Sequence, residues 1–242
     1  MRKTILVTGA SRGIGLAIAV ELASKGYDLV LVSRQSEQAL IEVAKACEKL
    51  GSRCYSRLVD VGNIQEVEQL FKEIENQFGG LYGVINNAGI SHIGLLADMT
   101  DEEWNTIIQT NLSSVFYTSR KAIPYMVHEK QGRIINISSI WGNIGASCEV
   151  AYSATKGGIN SFTKALAKEL APSNVLVNAL ALGVVNTSMN TCFSEEEMKE
   201  IVDEIPMGRM AKASEVAQIV SSLLEGYTYM TGQVITVDGG YI

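Results

Sequence analysis

The chain has 242 residues, enough to bury a large core in one α/β domain, and an apolar share of 47%, which excludes a disordered chain. A net charge of −6 without long runs of one sign argues against a nucleic-acid partner, whose phosphates an acidic domain repels. Four cysteines (Cys47, Cys54, Cys148, Cys192) without a CxxC pair, and two histidines (His92, His128), argue against a disulfide framework and against a metal site. Free thiols suit a reducing compartment, so a cytoplasmic location is expected. No apolar run is long enough to span a bilayer, so no membrane partner is expected. The start, Met1-Arg2-Lys3 and a short apolar stretch, is too short for a signal peptide and reads better as a buried strand.

In chain order, strand-like and helix-like segments alternate. Thr4–Thr8 is a short apolar strand, followed by helical spacing over Gly13–Lys25 with Gly26 as a stop. Asp28–Ser33 is a second strand, Ser36–Leu50 a helix closed by Gly51, and Arg53–Val59 a third strand. Asn63 caps a helix to Phe78, with Glu66 three residues on, and Tyr82–Asn86 is a fourth strand. Thr100-x-x-Glu103 is a capping-box pattern opening one long helical region towards Lys130. Arg133–Ile137 is a fifth strand, Ala151–Ala171 a helix ended near Pro172, and Val175–Ala181 a sixth strand. Ser194-x-x-Glu197 opens a short helix that ends before Pro206, another helix runs from about Ser214 to Leu224, and Gln233–Val237 is the last strand. Strict alternation predicts one domain of the Rossmann type: a doubly wound, mostly parallel sheet with helices on both faces and ligands beyond the strands' carboxyl ends.

Three motifs fall at those ends. Thr8-Gly9-Ala10-Ser11-Arg12-Gly13-Ile14-Gly15 follows the first strand, and its glycines let backbone N–H groups approach a pyrophosphate at a helix N-terminus. The second strand ends in Ser33-Arg34, without the carboxylate that usually holds the ribose hydroxyls of NAD. Arg34, aided by Arg12, suits the 2′-phosphate of NADP(H) instead. Tyr152 and Lys156, four residues apart, share a helix face, and a phenol beside an ammonium suits proton transfer to or from a carbonyl oxygen. Ser139, after the fifth strand, lies at the same edge and can hold that oxygen.

Taken with Asp60-Val61 after the third strand, Asn86-Asn87-Ala88-Gly89 after the fourth, Asn111 in TNLSSVF, Gly183, Thr187 and the ending Gly232–Gly240, the chain resembles the short-chain dehydrogenase/reductase family from end to end. The resemblance implies a parallel sheet of about seven strands, NADP(H) as cofactor and a homotetramer built through the helices near 102–130 and 151–171 and the last strand. It implies Tyr152 as proton donor, Lys156 as the group that bonds the nicotinamide ribose and lowers the tyrosine's pKa, Ser139 as carbonyl polariser, and Asn111 as holder of a relay water. It further implies cofactor contacts from Gly9, Ser11, Arg12, Gly13, Ile14 and Gly15, from Arg34, Asp60 and Val61, from Asn87, Ala88 and Gly89, and from Val185 and Thr187. One departure is Leu182 where the family usually has proline; without that fixed φ the loop over the nicotinamide is expected to loosen. Trp141 reads equally as core or as substrate wall.

Within the family the chain most resembles bacterial 3-oxoacyl-[acyl-carrier-protein] reductases, through TGASRGIG, DEEWN, NLSSVF and the VDGGY ending. That implies an acyl-thioester substrate and an acyl carrier protein as partner, with Lys130 and Arg133 as the nearest basic residues for docking. Ser173 stands where those reductases often carry arginine. A small-molecule substrate (a sugar, polyol, sterol or other alcohol or ketone) therefore stays open as the alternative. A non-catalytic cofactor sensor is disfavoured by the intact Asn111, Ser139, Tyr152 and Lys156.

Overall fold

Apolar runs without polar alternation become strands covered on both faces, as parallel strands require. The computed structural model describes residues 3–188 and 194–242, so Met1-Arg2 and the fourth cysteine, Cys192, lie outside the described residues. The elements run β1 (Thr4–Thr8), α1 (Gly13–Ser24), β2 (Asp28–Ser33), α2 (Glu37–Lys49), β3 (Cys54–Leu58), α3 (Ile64–Phe78), β4 (Gly83–Asn86), α4 (Asp101–Ile108) and α5 (Ser114–His128). Then follow β5 (Gly132–Ser139), α6 (Trp141–Ile144), α7 (Val150–Leu170), β6 (Val175–Leu182), β7 (Val185–Asn186), α8 (Glu195–Asp203), β8 (Ala211–Lys212), α9 (Ala213–Glu225) and β9 (Val234–Val237).

The main sheet has seven strands in the order β3-β2-β1-β4-β5-β6-β9, and every neighbouring pair is parallel. Its inner strands β1, β4, β5 and β6 are buried throughout, while the edges β3 and β9 are half covered. One face carries α1, α2 and α9 over a core that includes Ile18, Leu22, Leu40 and Val220. The other carries α3, α5 and α7 over Val67, Leu70, Ile74, Met126 and Leu166. Among the described residues no helix is long and apolar enough to cross a membrane.

Strand order reverses between β1 and β4, so the chains leaving these strands diverge and open a crevice. Thr8 pins its floor. Its buried hydroxyl accepts the N–H groups of Asn87 (3.0 Å) and Ala88 (2.9 Å) and donates to the Ile85 carbonyl (3.3 Å). The Asn87 amide returns the contact, donating to the carbonyls of Thr8 (2.8 Å) and Gly9 (3.2 Å).

The structure departs from the sequence reading in four places. The long helical region from Thr100 is split by a π-helical turn, Gln109–Ser113, between α4 and α5. There Asn111 bonds Ile90 through both amide atoms and reaches the Thr155 hydroxyl, which holds the extra residue in the ladder. The short α6 and the small parallel pair β7–β8 carry no periodicity long enough to read. Finally, β6 runs through Leu182, in register with Ser139 and Val237, and the Leu182 carbonyl accepts from Ile140 at 2.9 Å. The residue in place of the family's proline is thus held by the sheet through its own backbone.

Because Thr8 satisfies two buried backbone donors, Thr8→Val should lower unfolding stability by roughly 2–4 kcal/mol, and Thr8→Ser by about 1 kcal/mol. Urea unfolding of the two variants checks this, and equal losses would remove the hydroxyl as the crevice's pin.

Candidate active site

A single cleft of about 580 Å³ runs along the carboxyl ends of the strands, from the β1–α1 turn to the start of α7. At one end the turn supplies Gly9, Ser11, Arg12, Gly13 and Ile14 to the wall. Gly9 has φ +66° and Gly13 φ +55°, left-handed values that favour glycine. Gly15 sits behind them, where any Cβ would run into the Gly9 carbonyl, so its part is to let helix and turn pack together rather than to face a ligand. No side chain caps α1 and no acid occupies its first turn, which leaves the positive end of the helix for an anion.

Beyond the turn, Arg34, Asp60 and Val61 line the cleft from the ends of β2 and β3. The Ser33 hydroxyl turns into its own loop, donating to Gln35 O at 2.7 Å. The Asp60 carboxylate accepts the Gly62 N–H at 2.9 Å. Asn87, Ala88 and Gly89 follow from β4, and Val185 and Thr187 close the opposite wall.

At the other end the polar trio meets. Ser139 ends β5, accepts the Trp141 N–H at 3.2 Å and lines the cleft with Tyr152, whose phenol its hydroxyl pulls down. Lys156 is buried, with its ammonium donating to Ile137 O at 2.8 Å and lying 5.4 Å from the centre of the Tyr152 ring. Burial pushes Lys156 down to about 8. Burial and the Glu149 carboxylate push Tyr152 up to about 12, against a smaller pull from Ser139. The phenol thus stands above its ordinary value, opposite in direction to the expected lowering, because burial and Glu149 dominate.

Asn111 does not reach the cleft surface. It is fully buried behind Gly89, where a Cβ would lie 3.4 Å from its Oδ1 and 3.7 Å from Lys156 Nζ. Through Thr155, whose hydroxyl donates to Tyr152 O at 2.7 Å, Asn111 ties α7 to the loop after β4. Thr8, named only as the first residue of the turn motif, and Thr155, between Tyr152 and Lys156, had no role of their own in the sequence reading, because a single threonine carries no spacing signal for partners far away in the chain.

The substrate half is walled by Trp141, Glu149, Ile201 and Tyr241. Trp141 is therefore a wall residue, packed edge-on against Tyr241 with ring centres 5.8 Å apart. The basic residues considered for docking lie elsewhere. Arg133 is buried within β5 at the sheet's amino end, bonded to Gly132 O and lying over Tyr82. Exposed Lys130 precedes the same end, opposite the cleft.

Comparison with known proteins agrees with this arrangement. The family model described as short chain dehydrogenase matches residues 3–198. The chain is 40% identical over 243 residues to "Uncharacterized oxidoreductase YmfI" of Bacillus subtilis (strain 168), covering 100% of this chain and 99% of that protein. It is 39% identical over 239 residues to the 3-oxoacyl-[acyl-carrier-protein] reductase FabG of Aquifex aeolicus (strain VF5), covering 98% and 96%. It is 38% identical over 244 residues to the reductase of the same name from Staphylococcus aureus (strain N315), covering 99% and 98%. With a match of this extent, and a seven-stranded parallel sheet to carry it, the chain belongs to the short-chain dehydrogenase family and is an oxidoreductase.

Proposed function

We propose that the protein reduces a carbonyl to a hydroxyl with NADPH, and that its substrate is a 3-oxoacyl thioester. The observation that carries this reading is one continuous cleft with Ser139, Tyr152 and Lys156 at one end and Arg12 and Arg34 at the other. The glycine turn fits a pyrophosphate, and the absence of a carboxylate at the end of β2 fits a ribose that bears a phosphate. Asp60 and Val61 are assigned to the adenine, Asn87, Ala88 and Gly89 to the adenosine ribose region, and Val185 and Thr187 to the nicotinamide carboxamide. NADPH, when bound, supplies the hydride.

The chain's own residues then have distinct tasks. Ser139 holds the carbonyl oxygen against Tyr152, and the two hydroxyls fix its orientation. Tyr152, pushed up to about 12, keeps its proton at neutral pH and delivers it to the developing alkoxide. Lys156, a cation below about 8, bonds the nicotinamide ribose and stabilises negative charge on the phenol oxygen. Asn111 is assigned a relay water to Lys156; its amide N–H groups bond Ile90 and Thr155 and its Oδ1 accepts the Ile90 N–H, so a further oxygen lone pair is what it can offer that water. A tetramer joined through α4, α5 and α7 would cover Trp104, Phe116, Val127 and Val150, which are exposed in the single chain.

A small ketone is the second reading, favoured by the charge on one lip. Helix α8 opens with Glu195, Glu196 and Glu197 and sends Ile201 into the cleft wall, so an acidic carrier protein would meet negative charge there. NADPH consumption against acetoacetyl-carrier protein, acetoacetyl-CoA, simple ketones and sugars decides between the two. Turnover of neither thioester, beside turnover of a ketone or sugar, would overturn the first.

Three further outcomes are expected. Arg34→Asp should weaken NADPH binding by about tenfold to a hundredfold, the value of lost charge-assisted hydrogen bonds, and improve NADH binding. Titration of both cofactors checks it, and a wild type that prefers NADH would refute the assignment. Tyr152→Phe should cut single-turnover NADPH oxidation by on the order of 10²–10⁴ with cofactor binding retained. A near-normal rate with the site filled would remove Tyr152 as proton donor. Because Lys156 loses its charge as pH rises through about 8, kcat/KM for reduction should fall on that side and hold below it. A profile flat well beyond pH 8 would show that the charge is not needed.

A further inference from the structure

Glu149 is a carboxylate in the substrate half of the cleft that the proposed mechanism does not use. It stands directly before α7, three residues ahead of Tyr152, and its carbonyl accepts the Ser153 N–H at 2.8 Å. It is half-buried and lines the cleft beside Trp141, whose side chain pulls the carboxyl down against the upward push of burial. Trp141 is itself held, by its backbone bond to Ser139 and its edge contact with Tyr241. The carboxylate thus stands in the substrate wall next to a held indole.

The surrounding charges do not neutralise it. The cations among the described cleft-lining residues are Arg12, Arg34 and Lys156. The first two belong to the ends of the turn and of β2, and the third is buried on Ile137 O. The Tyr241 hydroxyl, on the same wall as Trp141, is turned away to the exposed Glu204 at 2.5 Å and offers Glu149 no proton. A group seated beside the reacting carbonyl thus meets one partly desolvated carboxylate, where a like charge is poorly screened.

We infer that Glu149 sets the charge specificity of this cleft: it admits carbonyl substrates whose neighbouring group is uncharged, such as an ester, thioester or amide, and rejects the corresponding free oxo acids. This deepens the reading of the protein as a carbonyl reductase and rests on it. A 3-oxoacyl thioester and its free acid present the same ketone and differ at this wall in one negative charge. Rejecting an unwanted partner by an unpaired like charge is a general route to specificity. The charge reaches the reacting region, since Glu149 stands one helical turn ahead of Tyr152 and acts on its phenol; burial pushes the Glu149 carboxyl up, and the neighbouring Trp141 side chain opposes that.

The test compares methyl acetoacetate with acetoacetate at saturating NADPH, in wild type, Glu149→Gln and Glu149→Asp. Wild type should favour the ester in kcat/KM by about a hundredfold or more, as like-charge juxtaposition implies. Glu149→Gln should shrink that ratio at least about tenfold, mainly through the KM of the acid, and Glu149→Asp should preserve it. An unchanged ratio in Glu149→Gln, or a wild type that takes both probes equally, would overturn the inference. If wild type turns over neither probe, the 3-oxoacyl reading is still decided by the two thioesters above, and calorimetry of the two probes on NADP⁺-loaded protein decides about Glu149. Tighter ester binding in wild type that is equalised in Glu149→Gln supports the inference; equal affinities in wild type, or no measurable binding of either probe, overturn it.

Discussion

Helix α7 reaches the carboxyl edge of the sheet on buried hydrogen bonds as well as apolar contact. Asn136 on β5 donates to Thr163 at 2.9 Å, the Ser138 hydroxyl donates to Asn160 at 2.6 Å, and Asn160 donates to Asn143 at 2.9 Å. The chain of bonds continues across the sheet, because Asn86 on β4 donates to Asn136 at 2.8 Å and accepts from Thr118 on α5 at 2.6 Å. Apolar packing alone tolerates small slides of a helix, whereas Asn136, Ser138 and Asn160 each lose a buried or half-buried hydrogen bond if α7 shifts. The positions of Tyr152 and Lys156 against Ser139 depend on this docking, since they are carried by the same helix and strand.

Burial then acts in opposite directions on the two ionisable members of the site. It drives Lys156 towards the neutral amine and Tyr152 towards the neutral phenol, so burial disfavours the charged form of both. The Ile137 carbonyl stabilises the ammonium, and no comparable donor stabilises a phenolate beyond the Ser139 hydroxyl. The protein by itself is thus poised as a proton donor. Close backbone approach helps to form the pocket: at Gly142 a Cβ would stand 2.6 Å from the Lys156 backbone, so glycine is what lets α6 lie against the start of α7.

The alternation of elements, the strand ends and the motif positions were legible in the sequence because each rests on a local pattern. β1 and β2 match their expected bounds, as does the start of α1 at Gly13, where the glycine turn ends. Both capping boxes, at Thr100 and Ser194, form as their spacing implies. What stayed hidden depends on partners far away in the chain. The π turn needs Ile90 and Thr155 to hold Asn111, the direction of the Tyr152 shift needs the depth of burial, and the place of Arg133 needs to be known relative to both ends of β5. In the site, the residues facing the cleft were readable from their motifs, while Gly15 and Asn111 proved to be supports behind the wall.

The neck made by β7 and β8 has a wider consequence. Val185 pairs with Ala211 and Asn186 with Lys212, and Arg209 clamps Glu215 in a two-pronged ion pair just beyond. Among the described residues, helix α8 with its cleft-lining Ile201 lies in the chain between these two strands. Its far end is tied a second time, where Ile205 is buried and the Met207 N–H bonds Gly239 O at 3.1 Å. Loop closure adds only about 0.6 kcal/mol for each doubling of length, so a change in the length of this connection costs the main sheet little. The substrate wall thus draws on two sources: the strands and α7 anchor the polar trio, and a helix tethered at the chain's carboxyl-terminal end adds an apolar side.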